Sequence, residues 1–417
     1  MQSAASAADG GSPETHDAGV SNSGQAGHSG PALDAGQPKD AGLKLDAASV
    51  AGAAGSSRAA GGGGTGGAAG QPVAGQPVAG QPLAGQSGAG SQASGSSMIV
   101  GVNAWGFRGR SADGAAFVIC RNATTNNDHS PDLLRDVAYG GGVFIAVGGD
   151  LNSMVMRSLD AVHWQEDLHP LQGCDDPGYP SSCNNWMGGV AYADGVWLAG
   201  GGNGALMRSR DAGATWQGVH PKLTPNAIRH MAGGSGRFVA GADQGAVFVS
   251  PDAGDSWTRF DLWTGHSQAE GMRVAHGGGS FIAWGSWWNG SQTEQSCFAS
   301  SDKGDHWSPC AASVAKSASF VYDGARWVAR ASGGYATSGD AVSWTMHTAS
   351  GVPDELLFDG TTWFGRSGTT LSMGGSPDAF KTIANVKVPD FRSWTIGRVL
   401  DSNLPVTGVA ACTDKGS

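Results

Sequence analysis

Four ionisable side chains, Asp136, His230, Arg273 and Glu355, occupy the same place in a recurring pattern, the residue just ahead of a repeated hydrophobic segment. The corresponding residues of the other copies are Gly408, Gly189 and Ser319. Brought together, two carboxylates, an imidazole and a guanidinium can bind a polar ligand or perform acid–base chemistry. In the second case Asp136 and Glu355 are the candidate catalytic pair, and a glycoside hydrolase would need them at a defined separation. The plain alternative is a solvated channel whose charges pair with one another. A second set is aromatic. Trp186, Trp263, Trp287 and Trp288, together with Trp105, Trp284 and Trp394, remain once the Trp residues of the repeats are assigned. Indoles with Asn and Ser nearby suit stacking on sugar rings, which offer apolar faces and hydroxyls at once. Buried Trp plugging gaps between sheets is the competing reading.

Other chemistries leave no signature. The acids Asp150, Asp175 and Asp176 lack the spacing of a calcium loop, and no Cys/His cluster suggests zinc. Neither G-x-S-x-G nor H-E-x-x-H occurs, and the Gly-rich segments have no strand–loop–helix context for phosphate. The expectation is a protein without metal or cofactor.

What must position these residues is a repeat. Ser209-Arg-Asp211-Ala-Gly213-Ala-Thr215-Trp216 recurs as Ser250-Pro-Asp252-Ala-Gly254-Asp-Ser-Trp257 and as Ser300-Ser-Asp302-Lys-Gly304-Asp-His-Trp307. A form one residue shorter gives Ser158-Leu-Asp160-Ala-Val-His-Trp164 and Ser338-Gly-Asp340-Ala-Val-Ser-Trp344. Weaker copies are Ser111-Ala-Asp113 and Ser376-Pro-Asp378. The spacing of the aspartates matches a four-stranded propeller blade of roughly 40–50 residues. Ahead of each motif lies a strand–Gly turn–strand pattern, as in Val137-Ala-Tyr139 through Phe144 and Val190-Ala-Tyr192 through Trp197.

The motifs resemble the Asp box, S-x-D-x-G-x-T-W, of the sialidase-like (BNR repeat) superfamily, over nearly all of residues 98–417. The resemblance implies that each box sits in the turn between third and fourth strands, as a structural staple. It implies too that ligands bind on the opposite face. The first box has only Met98-Ile-Val-Gly before it, and Val406-Thr-Gly-Val409-Ala-Ala-Cys412 offers the missing inner strand. The reading is an all-β, seven-bladed β-propeller whose C-terminal strand closes the first blade and removes open edges.

Residues 1–97 contain no Trp, Tyr, Phe, Ile or Cys and include GQPVA, GQPVA and GQPLA between Gly70 and Ala84. Such a segment cannot offset its chain entropy by burial, so a disordered low-complexity stalk is expected ahead of a 98–417 propeller. The net charge of −10 and the lack of Lys/Arg-rich runs argue against nucleic acid. No apolar run is long enough to span a membrane. A stalk before a Cys-bearing β domain resembles a mature secreted protein or bacterial surface lipoprotein. The expectation is a removed signal and a lipid anchor upstream, with residence at the cell surface, in the periplasm or outside. Cys297 and Cys310 flank a box and should face each other across its hairpin; Cys174 and Cys183 bracket a loop, and Cys120 and Cys412 remain.

Catalytic sialidases carry an arginine triad, an early Arg-Ile-Pro-type segment and a Tyr–Glu pair. Gly106-Phe-Arg108-Gly-Arg110 is not that segment, and Tyr139, Tyr192 and Tyr322 occupy a repeated strand slot. The balance favours a monomeric, non-catalytic, extracellular binding propeller for a glycan or protein ligand. Its ligand-binding candidates are Asp136, His230, Arg273, Glu355, Trp186, Trp263, Trp287 and Trp288. The alternative is a carbohydrate-active enzyme using Asp136 and Glu355.

Overall fold

β-Branched and aromatic runs separated by Gly turns leave this chain few options besides short antiparallel strands. In one such unit Leu134–Gly140 and Val143–Gly148 meet at Gly141 and Gly142, with φ of 57° and 82°. Both are left-handed positions that a two-residue hairpin requires and that Gly adopts without penalty. The structure, a computed structural model, describes residues 95–103, 106–121, 133–150, 153–167, 185–219, 223–264, 269–383 and 391–400. Residues 1–94 lie outside the described residues, and the first strand starts at Gly95, within the 1–97 segment expected to be a stalk.

The described strands form seven four-stranded sheets, one per blade. The innermost strands, from blade 1 to blade 7, are Ser393–Leu400, Leu134–Gly140, Met187–Ala193, Ile228–Gly234, Ala269–Gly277, Phe320–Tyr322 and Glu355–Phe358. Each touches the next, and the seventh touches the first, so the ring closes. Apolar clusters fill the wedges between sheets: Ile145 and Val147 of blade 2 pack with Trp197 and Trp216 of blade 3. Each large side chain buried this way contributes roughly 1.5–3 kcal/mol. No helix among the described residues is long and apolar enough to cross a membrane.

The closing strand is Ser393–Leu400, not 406–412, and the latter lies outside the described residues. Ser393–Leu400 pairs along its whole length with Gly95–Val102, occupying the single inner slot of blade 1. Packing selects it. Trp394 and Ile396 sit in one cluster with Ile99, Leu357 and Phe391. Gly397 fits beneath the rings of Tyr139 and Phe144, where an added Cβ would come within 2.4 Å of Tyr139.

The Ser-x-Asp motifs are turns between third and fourth strands, held by their own side chains. In blade 3 the Ser209 hydroxyl donates to Asp211 Oδ1 at 2.7 Å and accepts from the Gly213 N–H at 2.9 Å. Thr215 N–H donates to Asp211 Oδ1 at 2.9 Å, and the Trp216 indole N–H reaches the Gly213 carbonyl at 3.2 Å. The same pattern recurs at Ser250–Trp257 and Ser300–Trp307. Beside the blade 5 turn, Cys297 and Cys310 form a disulfide with Cα atoms 5.4 Å apart. Cys174, Cys183 and Cys412 lie outside the described residues.

Candidate functional site

Because strands alternate in direction, the Ser-x-Asp turns lie at the end of each blade where its innermost strand finishes. The starts of the innermost strands gather at the other end, around a cavity of about 230 Å³ at the mouth of the central channel. Asp136, His230, Arg273, Ser319 and Glu355 all line it, and Ser393 takes the place in blade 1 that the sequence reading gave to Gly408.

Several of these ring residues bond to their neighbours. Asp136 is 4 % exposed. Its carboxylate accepts from the Val137 N–H (2.9 Å), the Val190 N–H of blade 3 (2.9 Å) and the Ser393 hydroxyl of blade 1 (2.7 Å). One side chain thereby ties three blades together. The Leu356 N–H of blade 7 donates to Ser319 Oγ of blade 6 at 3.1 Å. The Val274 N–H of blade 5 points at His230 Nδ1 of blade 4 at 3.5 Å. Desolvation pushes the His230 imidazole below its ordinary range; the Asp136 charge opposes this and the Arg273 charge adds to it. Glu355 is held by Arg366, whose Nη2 donates to Oε2 at 2.6 Å. The buried Arg366 also donates to the Phe391 carbonyl at 2.7 Å. Both candidate catalytic carboxylates are therefore engaged in holding the ring.

What faces the mouth instead is guanidinium. Arg135, Arg229, Arg273 and Arg392 all line the cavity. Two of them approach the Trp186 ring, with Arg135 4.3 Å and Arg229 5.1 Å from its centre, so this indole is engaged by cations. Arg229 is anchored by a two-pronged pair with Asp243, at 2.6 and 2.8 Å. Arg135 donates through Nε to the Gly149 carbonyl at 3.3 Å. Burial, then the charge of Arg392, pull Arg135 down to about 10, with Asp150 opposing. Arg273 and Arg392 are exposed, with no carboxylate in salt-bridge range among the described residues.

A backbone irregularity accompanies two of these arginines, Arg135 and Arg229. Strict alternation would aim Arg135 and Asp136 to opposite faces of their strand. The ladder shifts register between Leu134 and Asp136, and again between Ile228 and His230. These β-bulges let Arg135 line the cavity beside Asp136, and Arg229 beside His230. The sequence reading missed Arg135, Arg229 and Arg392. For Arg135 and Arg229 the available signal was their place one residue before Asp136 and His230; Arg392 had none, because the sequence reading placed the inner strand of blade 1 at 406–412.

The tryptophans separate. Trp186, Trp284 and Trp394 line the cavity; Trp263, Trp287 and Trp288 do not. Trp263 is buried at 4 %, its indole N–H on Ser296 Oγ at 3.0 Å and its ring edge-on to Phe298. Trp287 is half-buried against the same cluster, and Trp288 is 53 % exposed. Trp105 lies outside the described residues.

No protein-family model matches the chain, and no curated protein matches it. Solved structures similar to it include YCF48 from Cyanidioschyzon merolae, at 14% identity and TM-score 0.39, covering 61% of this chain and 86% of that one. YCF48 bound to D1 peptide is similar at 16% identity and TM-score 0.41, covering 64% of this chain and 93% of that one. The GH74 xyloglucanase from Xanthomonas campestris is similar at 16% identity and TM-score 0.47, covering 72% of this chain and 52% of that one. This chain thus spans about half the xyloglucanase, and at such identities the likeness concerns fold alone.

Proposed function

We propose that this chain is a non-catalytic binding propeller that takes an anionic ligand at the channel mouth, on the face opposite the Ser-x-Asp turns. One observation carries the reading. Four arginines line a cavity whose two carboxylates, Asp136 and Glu355, are already bonded within the ring. Like charges held close, one of them at a guanidinium already depressed by its surroundings, gain most when an anion enters between them. The Ser-x-Asp turns support grouping the chain with Asp-box propellers. The Cys297–Cys310 disulfide supports a place outside the cytosol, secreted or at a cell surface.

The test is a screen of acidic and neutral glycans and peptides at two ionic strengths, with the Arg135→Ala/Arg392→Ala variant alongside. Anionic probes are expected to bind more weakly as salt rises, and the variant to lose at least tenfold in affinity, about 1.4 kcal/mol. Salt-independent binding of neutral probes that the variant retains would refute this reading. Glycoside hydrolysis abolished by Glu355→Gln in a folded protein would favour the enzymatic alternative.

A further inference from the structure

Blade 5 departs from the others at the same end of the molecule as the arginine-lined mouth. In blades 2, 3, 4 and 7 the second strand stops one residue beyond the partner of the ring position, at Gly148, Gly201, Ala242 and Ser367. In blade 5 the ring residue Arg273 pairs with Trp284, and the second strand, Ser280–Trp288, continues four residues further. The third strand, Thr293–Ser300, follows it in an unbroken ladder that ends with Trp288 opposite Thr293. This hairpin therefore projects about 10 Å farther than its counterparts, at ~3.3 Å per residue.

Its tip carries Trp288, the most exposed large apolar side chain among the described residues. Because the ladder is uninterrupted, Trp284, Ser286 and Trp288 share one face of the strand. Trp284 lines the cavity, so Trp288 continues that face outward, roughly 13 Å along the strand. The tip is stiffened locally: Asn289 Oδ1 accepts the N–H groups of Ser291 and Gln292, and Asn289 Nδ2 donates to Glu294 Oε1 at 2.7 Å. A large exposed indole on this arm, with the exposed Ser291 and Thr293 hydroxyls in the same hairpin tip, matches a sugar ring, which needs an apolar contact and hydrogen bonds together. A peptide contact centred on this indole would need it desolvated within a ring of neighbouring contacts. The apolar residues around the mouth, such as Met272 and Leu356, are instead buried between blades.

We infer that the Ser280–Ser300 hairpin is a second contact arm for an acidic oligosaccharide, with Trp288 stacking on a sugar ring remote from the one whose acid group the arginines hold. This rests on the anionic-ligand reading of the mouth and adds a minimum length: the ligand must span farther than one ring.

The probes are a trimeric oligogalacturonide, galacturonate itself, uncharged maltotriose and polyglutamate, titrated into the whole chain while tryptophan fluorescence is followed. Trp288→Ala, at an exposed position, is expected to weaken the trimer about tenfold and leave galacturonate unchanged. Trp288→Phe should restore most of the loss, and Arg135→Ala should weaken both acidic sugars. Equal trimer binding by wild type and Trp288→Ala, with Arg135→Ala defective, would overturn the arm and leave the mouth reading intact. If no acidic probe binds, or Arg135→Ala changes nothing, the mouth reading falls and the arm with it. Binding of polyglutamate in place of the sugars would make the partner an acidic peptide and overturn the inference.

Discussion

His276 shows how much one buried side chain can govern in a structure of repeats. It stands where Tyr139, Tyr192 and Tyr322 stand in other blades, and it is 7 % exposed against Phe281. Its Nε2 meets Ser235 Oγ at 3.0 Å, while Nδ1 is buried without a hydrogen-bond partner. Burial pushes the imidazole down to about 4. The unfolded chain takes up this proton near its ordinary value, about 6.5. Above that pH both states leave the ring neutral and proton binding contributes nothing to the stability difference. As pH falls from about 6.5 to about 4 the unfolded state binds a proton that the folded state refuses, and stability declines by up to ~3 kcal/mol. Urea midpoints measured at pH 7.5 and pH 4.5 should therefore differ by more in wild type than in His276→Tyr, which places the repeat's own residue in the slot. Parallel pH profiles for the two proteins would contradict this account.

At the scale of the element, the Ser-x-Asp turn is a self-contained hydrogen-bonding unit. The Asp211 carboxyl is held down to about 2, first by the Thr215 hydroxyl and then by the Thr215 N–H, in a group that is mostly solvent-facing. The long form of the turn takes two left-handed residues in succession, Ala212 at φ 57° and Gly213 at φ 80°. An added Cβ on Gly213 would stand 2.4 Å from Ile145 Cδ1 of the neighbouring blade. Gly213→Ala should thus cost about 1–2 kcal/mol from backbone strain alone, with further loss where Ile145 must shift. Thermal melting reads this directly; an unchanged Tm would mean that the turn relaxes freely. This level was legible in the sequence because the bonding is local: each Ser, Asp, Gly and Trp satisfies groups within a few residues of itself.

At the scale of the whole molecule, the ring depends on a strand that arrives last. Ser393–Leu400 supplies the inner strand of blade 1, and Ser393 also donates to Asp136 of blade 2. A chain ending at residue 392 leaves blade 1 with an unpaired edge and the wedges to blades 2 and 7 open. A chain ending at residue 400 keeps every described contact. Size-exclusion chromatography and thermal melting should show aggregation or loss of the cooperative transition for the shorter truncation only. Equal behaviour of the two would return the closing role to the segment 406–412.

By itself the sequence determined the seven-fold repeat, the turn chemistry and, in blades 2, 4, 5, 6 and 7, the position that faces the channel. All three follow from local rules of strand alternation and turn geometry repeated along one chain. Tertiary structure decided the rest. The closing strand was chosen by packing between chain ends, for which 393–400 and 406–412 both carry plausible alternation. Two of the mouth's four arginines, Arg135 and Arg229, line it beside Asp136 and His230 where bulges interrupt strict alternation. A net charge of −10 gave no hint of that cluster, because overall charge sums over both faces while a ligand meets only one. Asp136 and Glu355, which as residue types suggest acid–base work, are bonded to neighbouring backbone and to Arg366 once the ring has closed.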